Sequence, residues 1–117
     1  MKAIEIISVP VTDQQRAKAF YLSIGFSLLT EAPMGEDALW IQLGLPGGGP
    51  SIALVNWFPK MAPGNLQGLV IATDDIVKER ASLLSKGVSV SEIDQTPWGK
   101  FAQVTDPDGN GFSLHQN

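Results

Sequence analysis

His115 is the single histidine in the chain, and Ser113 stands two residues before it, so in an extended strand both side chains leave the same face. An imidazole on the same face as a hydroxyl is the smallest set here that could move a proton. It makes His115 the candidate general acid or base and Ser113 a candidate ligand-binding group. The chain has no cysteine, which removes disulfides, thiolate metal ligands and a thiol nucleophile. Glu31 and Glu92 fall at similar places in two halves of the chain and would hold a cation only if both turned inward; acidic strand ends more commonly serve solubility. The GGGP stretch at 47–50 lacks the Lys and Ser/Thr that follow a phosphate-cradling loop, so it reads as a turn.

The second set of candidates is flat and apolar. Trp40, Trp57, Phe58, Trp98 and Phe101 lie near expected strand ends, in the segment NWFPKMAPGNLQ, and at the entry to the last hairpin. Rings in such places form either the rim of a small-molecule pocket or a subunit interface, and both readings stand at this point. Gln42 and Gln103 add neutral hydrogen-bonding groups to the ligand-binding set.

These residues are positioned by a repeat. Thr12-Asp13 recurs as Thr73-Asp74, Gln42 as Gln103 and Pro46 as Pro107, all at one offset, which implies two copies of one module. Each copy opens with an apolar, β-branched run, IEIISVPV and then LQGLVIAT, suited to a buried strand. A helix follows in each. Asp13 caps the first, whose buried stripe is Ala17, Phe20, Tyr21 and Ile24; Asp74 or Asp75 caps the second, with Val77, Ala81 and Leu84 as its stripe. Gly25 and Gly87 stop the helices. Three strands follow in each half: FSLLTE, ALWIQLG and SIALVN, then VSVSEI, FAQVT and GFSLHQ. LPGGGP and DPDGNG turn the last two strands of each half, with Pro107 setting one dihedral, Asp106 or Asp108 accepting from local amides, and Gly109 with Asn110 taking positive φ.

The predicted fold is therefore α+β: two tandem βαβββ modules, about 1–56 and 67–117, joined by an irregular linker at about 57–66, with a cupped mixed sheet and the helices outside. At 117 residues the chain fits one domain. With 44% hydrophobic and 17% charged residues it is too apolar for disorder, and no run is long enough to span a bilayer. Glu5 interrupts the apolar start and no cleavage site follows, so the expected compartment is the cytoplasm. A net charge of −4 with eight scattered Lys and Arg argues against nucleic acid.

The order βαβββ twice, with VTDQQRAKAFYLSIGF at 11–26, TDDI at 73–76 and VTDPDGNGF at 104–112, resembles the vicinal oxygen chelate superfamily, which includes glyoxalase I, bleomycin-resistance proteins and extradiol dioxygenases. The resemblance covers nearly the whole chain and implies two modules cupped around a ligand. It also implies, in metal-dependent members, His and Glu ligands on the inward faces of the first and last strand of each module. Those positions fall here at Ile6, Ala53, Gly68 and Ser113, a set with no good metal ligand, and neighbouring registers do not improve it. The expectation is a homodimeric, metal-free and cofactor-free protein binding a small apolar or aromatic molecule in the cup. The alternatives are a lyase, isomerase or dioxygenase of the same fold with an atypical site that uses His115, Ser113 or unmatched carboxylates, and a protein-interaction module built on Trp57, Phe58 and Trp98.

Overall fold

A computed structural model describes all residues 1–117. The chain forms two compact units, Met1–Pro63 and Gly64–Asn117. Each holds one helix and one mixed sheet, two helices and nine strands in all, in an α+β fold. Neither helix is long and apolar enough to cross a membrane.

In unit one the elements are β1 (Ile6–Pro10), α1 (Gln14–Ser23), β2 (Ser27–Pro33), β3 (Leu39–Gly44) and β4 (Ser51–Val55), in the sheet order β1-β4-β3-β2. β1 runs parallel to β4, and the other neighbours are antiparallel. A parallel pair needs a long crossover, here α1, β2 and β3. The Asp13 carboxylate starts α1 by accepting from the amides of Gln15 (3.0 Å) and Arg16 (3.1 Å). Gly25, at φ 118°, ends it, and the Phe26 amide donates back to the Tyr21 carbonyl at 3.0 Å. Of the expected stripe, Ala17 and Tyr21 are buried, while Phe20 and Ile24 are half-buried.

Glu31 pairs with Ile41 in the sheet and bonds to Lys18 and Gln15 of α1, so the Ile41 face is the helix side. By register that face also carries Val9, Leu43, Ile52 and Leu54, all buried. Each such side chain removed from water contributes roughly 1.5–3 kcal/mol before conformational entropy is subtracted. The opposite face carries Ile6, Ser8, Ser51, Ala53, Gln42 and Trp40. β4 is buried along its whole length, as suits a strand with partners on both sides and apolar residues on both faces.

Unit two repeats the pattern with β5 (Leu69–Ala72), α2 (Ile76–Ser85), β6 (Ser89–Val90), β7 (Asp94–Thr96), β8 (Gly99–Thr105) and β9 (Gly111–Gln116), in the order β5-β9-β8-β6 with β7 also on β8. Two details depart from the sequence reading. The stripe of α2 is Ile76 and Leu83, whereas Val77 (61% exposed), Ala81 and Leu84 face outward. Asp75 is the cap, accepting from the Lys78 amide at 3.0 Å, and the Ile76 amide donates to Gln116 Oε1 at 2.8 Å. That tether draws the helix start onto β9 and turns Ile76 inward. The expected strand VSVSEI is also broken: the Ser91 hydroxyl accepts from the Gln103 amide at 2.8 Å and donates to the Glu92 carbonyl at 2.9 Å. A side chain thus takes one backbone bond of the ladder, and pairing resumes only at β7.

The DPDGN turn between β8 and β9 is a closed hydrogen-bonded unit. The buried Asp106 carboxylate accepts from the amides of Asp108 and Asn110 (both 2.9 Å) and from Asn110 Nδ2 (2.9 Å). Gly109 alone takes positive φ, at 100°. The expectation that Asn110 shares that conformation is corrected: Asn110 acts through its amide, whose Oδ1 accepts from the Leu66 amide at 3.1 Å. Gly64, at φ 84°, packs so closely on the Asp108 carbonyl that a Cβ there would collide with it.

Candidate functional site

On the face of unit one away from α1, the hairpin β3–β4 aligns Gln42 with Ala53 and so sets Ser51 diagonally across from Gln42. The Trp40 indole N–H donates to Gln42 Oε1 at 3.1 Å, and Gln42 Nε2 donates to Ser51 Oγ at 2.7 Å. The Ser51 hydroxyl lies 3.4 Å from the Glu5 carbonyl. Both ends of the Gln42 amide are therefore satisfied, and Trp40 is held by its nitrogen. Trp57, from the segment after β4, lies with its ring centroid 6.3 Å from that of Trp40, and Phe58 lies 5.9 Å beyond it. Phe58 remains 46% exposed. Three of the rings picked out in the sequence thus form one tilted array, joined to an amide and a hydroxyl.

Unit two places Phe101, Gln103, Ser113 and His115 on one face, because Phe101 pairs with His115 and Gln103 with Ser113 across β8 and β9. β5 adds Val70 beside Ser113 and Ala72 beside His115. Gln103 Nε2 donates to Ser113 Oγ at 2.7 Å. The imidazole of His115 stacks on Phe101, with centroids 4.5 Å apart and planes 22° apart, and its Nε2 lies 2.9 Å from the Trp98 carbonyl. A carbonyl only accepts, so Nε2 carries the proton and donates to it. Gly99 makes this approach possible: at φ 121° it sits against the Gln116 carbonyl and His115 Nε2, where a Cβ would not fit. The Trp98 indole itself points to solvent, 77% exposed. A recess of about 320 Å³ lies beside His115, lined also by Ala72, Thr73, Asp74, Gln116 and Asn117.

The sequence reading missed Ser51, the hydroxyl that completes the Gln42 pair. Its signal was present in the hairpin: once LPGGGP is taken as the turn, Ser51 falls on the Gln42 face.

The positions that the family resemblance assigns to metal ligands are Ile6, Ala53, Gly68 and Ser113. Ile6, Ala53 and Gly68 have no donor atom in their side chains, and the Ser113 hydroxyl is engaged by Gln103. Nowhere does the structure gather three His, Cys, Asp or Glu side chains that could hold a metal ion. Glu31 points to the helix side, where the Lys18 ammonium at 2.8 Å and then the Gln15 amide hold its carboxyl below the ordinary glutamate range. That position rules out an inward acidic pair with Glu92.

Two βαβββ units in tandem define a glyoxalase-type fold. The family model for the Glyoxalase/Bleomycin resistance protein/Dioxygenase superfamily matches residues 3–114, and the chain belongs to that family. It is 33% identical to the Bacillus subtilis (strain 168) protein YetH, over 99% of both chains. Among solved structures it is similar to TnmS3, an antibiotic binding protein from Streptomyces sp. CB03234, at 44% identity and a TM-score of 0.94, over 99% of this chain and 96% of that one. A glyoxalase/bleomycin resistance protein from the same organism is also 44% identical, with a TM-score of 0.88 over 97% of this chain and 100% of that one.

Proposed function

We propose that this chain binds a small apolar or aromatic molecule without turning it over, as a metal-free homodimer in the cytoplasm. The observation that carries the reading is the likeness to TnmS3, an antibiotic binding protein, at 44% identity along nearly the full length of both chains. The side chains support it in chemical terms. The Trp40, Trp57 and Phe58 rings in unit one and the Phe101–His115 stack in unit two are groups that hold flat ligands by dispersion and stacking. Gln42, Gln103, Ser51 and Ser113 are neutral groups that orient a ligand but move no charge. His115 has no carboxylate partner; its ring is packed against a phenyl and bonded to a carbonyl, which suits a wall more than an acid–base catalyst.

The test is equilibrium titration of tryptophan fluorescence with a panel of polycyclic aromatics, run alongside metal analysis of the purified protein. Saturable quenching is expected, weakened about tenfold by Trp57→Ala, the loss usual for one buried aromatic anchor. Stoichiometric divalent metal that is lost in His115→Ala would overturn the reading in favour of an enzyme. Quenching only by a protein partner would favour an interaction module.

A further inference from the structure

The two units use the same glutamine differently, and the difference leaves one polar atom open. In unit one Gln42 is saturated, Oε1 by the Trp40 indole and Nε2 by its bond to Ser51. In unit two the place of Trp40 is taken by Phe101, which has no N–H to offer, while Gln103 Nε2 still donates to Ser113 Oγ at 2.7 Å. Ser113 is 8% exposed, so this bond fixes the amide plane from below. Gln103 Oε1 is consequently an oriented acceptor on an exposed side chain, and water is its alternative partner.

Its surroundings match a flat molecule. Across the sheet, Gln103, Ser113 and Val70 form one row, and Phe101, His115 and Ala72 the next. Val70 is 53% exposed and Ala72 carries only a methyl, so the two make a low apolar floor. His115 stands beside Ala72 on the neighbouring strand and stacks on Phe101. From Val70 to Gln103 is two strand spacings, roughly 10 Å, the span of a bicyclic ring bearing one hydroxyl. The geometry points to a selector: unit two takes planar aromatics that carry a hydroxyl, with the ring over Val70 and Ala72 against His115 and the hydroxyl donating to Gln103 Oε1. This rests on the small-molecule-binding reading above and names its ligand class.

The experiment compares 2-naphthol with 2-methoxynaphthalene, which keeps the ring and the oxygen but loses the donor, by equilibrium dialysis against the whole chain. Wild type should prefer the naphthol by about threefold to tenfold, the value of one neutral hydrogen bond. Gln103→Leu should abolish the preference, and Gln103→Glu should keep it because an acceptor remains. Equal binding of the two probes by wild type, or a preference that survives Gln103→Leu, overturns the selector while leaving the binding reading intact. Binding of neither probe, nor of any polycyclic aromatic in the fluorescence panel, overturns both.

Discussion

The two units share a topology but differ in where they place their polar groups. Unit one buries β4 on both faces and joins Trp40, Gln42 and Ser51 into a saturated chain beneath Trp57. Its hairpin, LPGGGP, is made of exposed residues after Leu45, with Gly48 and Gly49 at positive φ. Unit two reverses the arrangement. Its hairpin is the buried Asp106–Asn110 unit, and its sheet face is left partly open, with Val70 and Gln103 exposed. A repeat fixes the elements and their register, while the side chains at matching places are free to differ in burial and hydrogen bonding.

The most severe way to break this comparison is at the hairpins. Asp106→Ala removes the acceptor of three bonds in a buried turn and is expected to cost about 3 kcal/mol, because the amides left behind lose their partner away from water. Leu45, at the matching place in unit one, is only half-buried, and Leu45→Ala should cost less than about 1.5 kcal/mol. Urea denaturation of both variants measures the difference. Equal losses would show that the two turns carry the same share of stability.

The glutamines give a smaller contrast. Gln42→Leu strands the Trp40 indole N–H and the Ser51 hydroxyl, and about 1–2 kcal/mol should be lost. Gln103→Leu leaves the Ser113 hydroxyl without its partner but strands no indole N–H, and should cost less, about 1 kcal/mol. If the order reverses in urea midpoints, Gln103 is a structural residue and its open acceptor has no special standing.

Much of this organisation was legible in the sequence wherever a local rule decides it. Asp13 and Gly25 bound α1 through capping chemistry that depends only on neighbours, and strand alternation alone placed Ser113 and His115 on one face. β9 has the bounds of the segment GFSLHQ. What escaped depends on contacts distant in sequence. The stripe of α2 had two nearly equal apolar choices, and the Gln116 side chain, forty residues away, selects Ile76 and Leu83. The break at Ser91 comes from a bond to Gln103 on another strand. Asn110 carries a turn residue's usual signature, and its amide is used by Leu66 of the linker instead of its backbone freedom being used by the turn.

The smallest expected effect sharpens the comparison at the helices. α1 is tied to β2 by an ion pair, Lys18 to Glu31 at 2.8 Å, whereas α2 is tied to the chain after β6 by Arg80 Nε donating to the Ser91 carbonyl at 2.7 Å. Only the first tie titrates in acid. The Lys18 ammonium, then the Gln15 amide, hold the Glu31 carboxyl below its ordinary value. A carboxylate whose folded pKa is depressed contributes stability that is fully present above its unfolded value, about 4.3, and lost as pH falls through the lower folded value. The gap between wild type and Glu31→Gln in urea midpoint should therefore be open at about pH 7 and close as pH falls below about 4.3. The gap for Arg80→Met should persist across the same range, since neither guanidinium nor carbonyl changes charge there. The Glu31 gap is small because a surface ion pair is screened by water and salt. A Glu31 gap that stayed open in acid would mean the side chain acts by packing on α1, and the two helix ties would then be alike in kind.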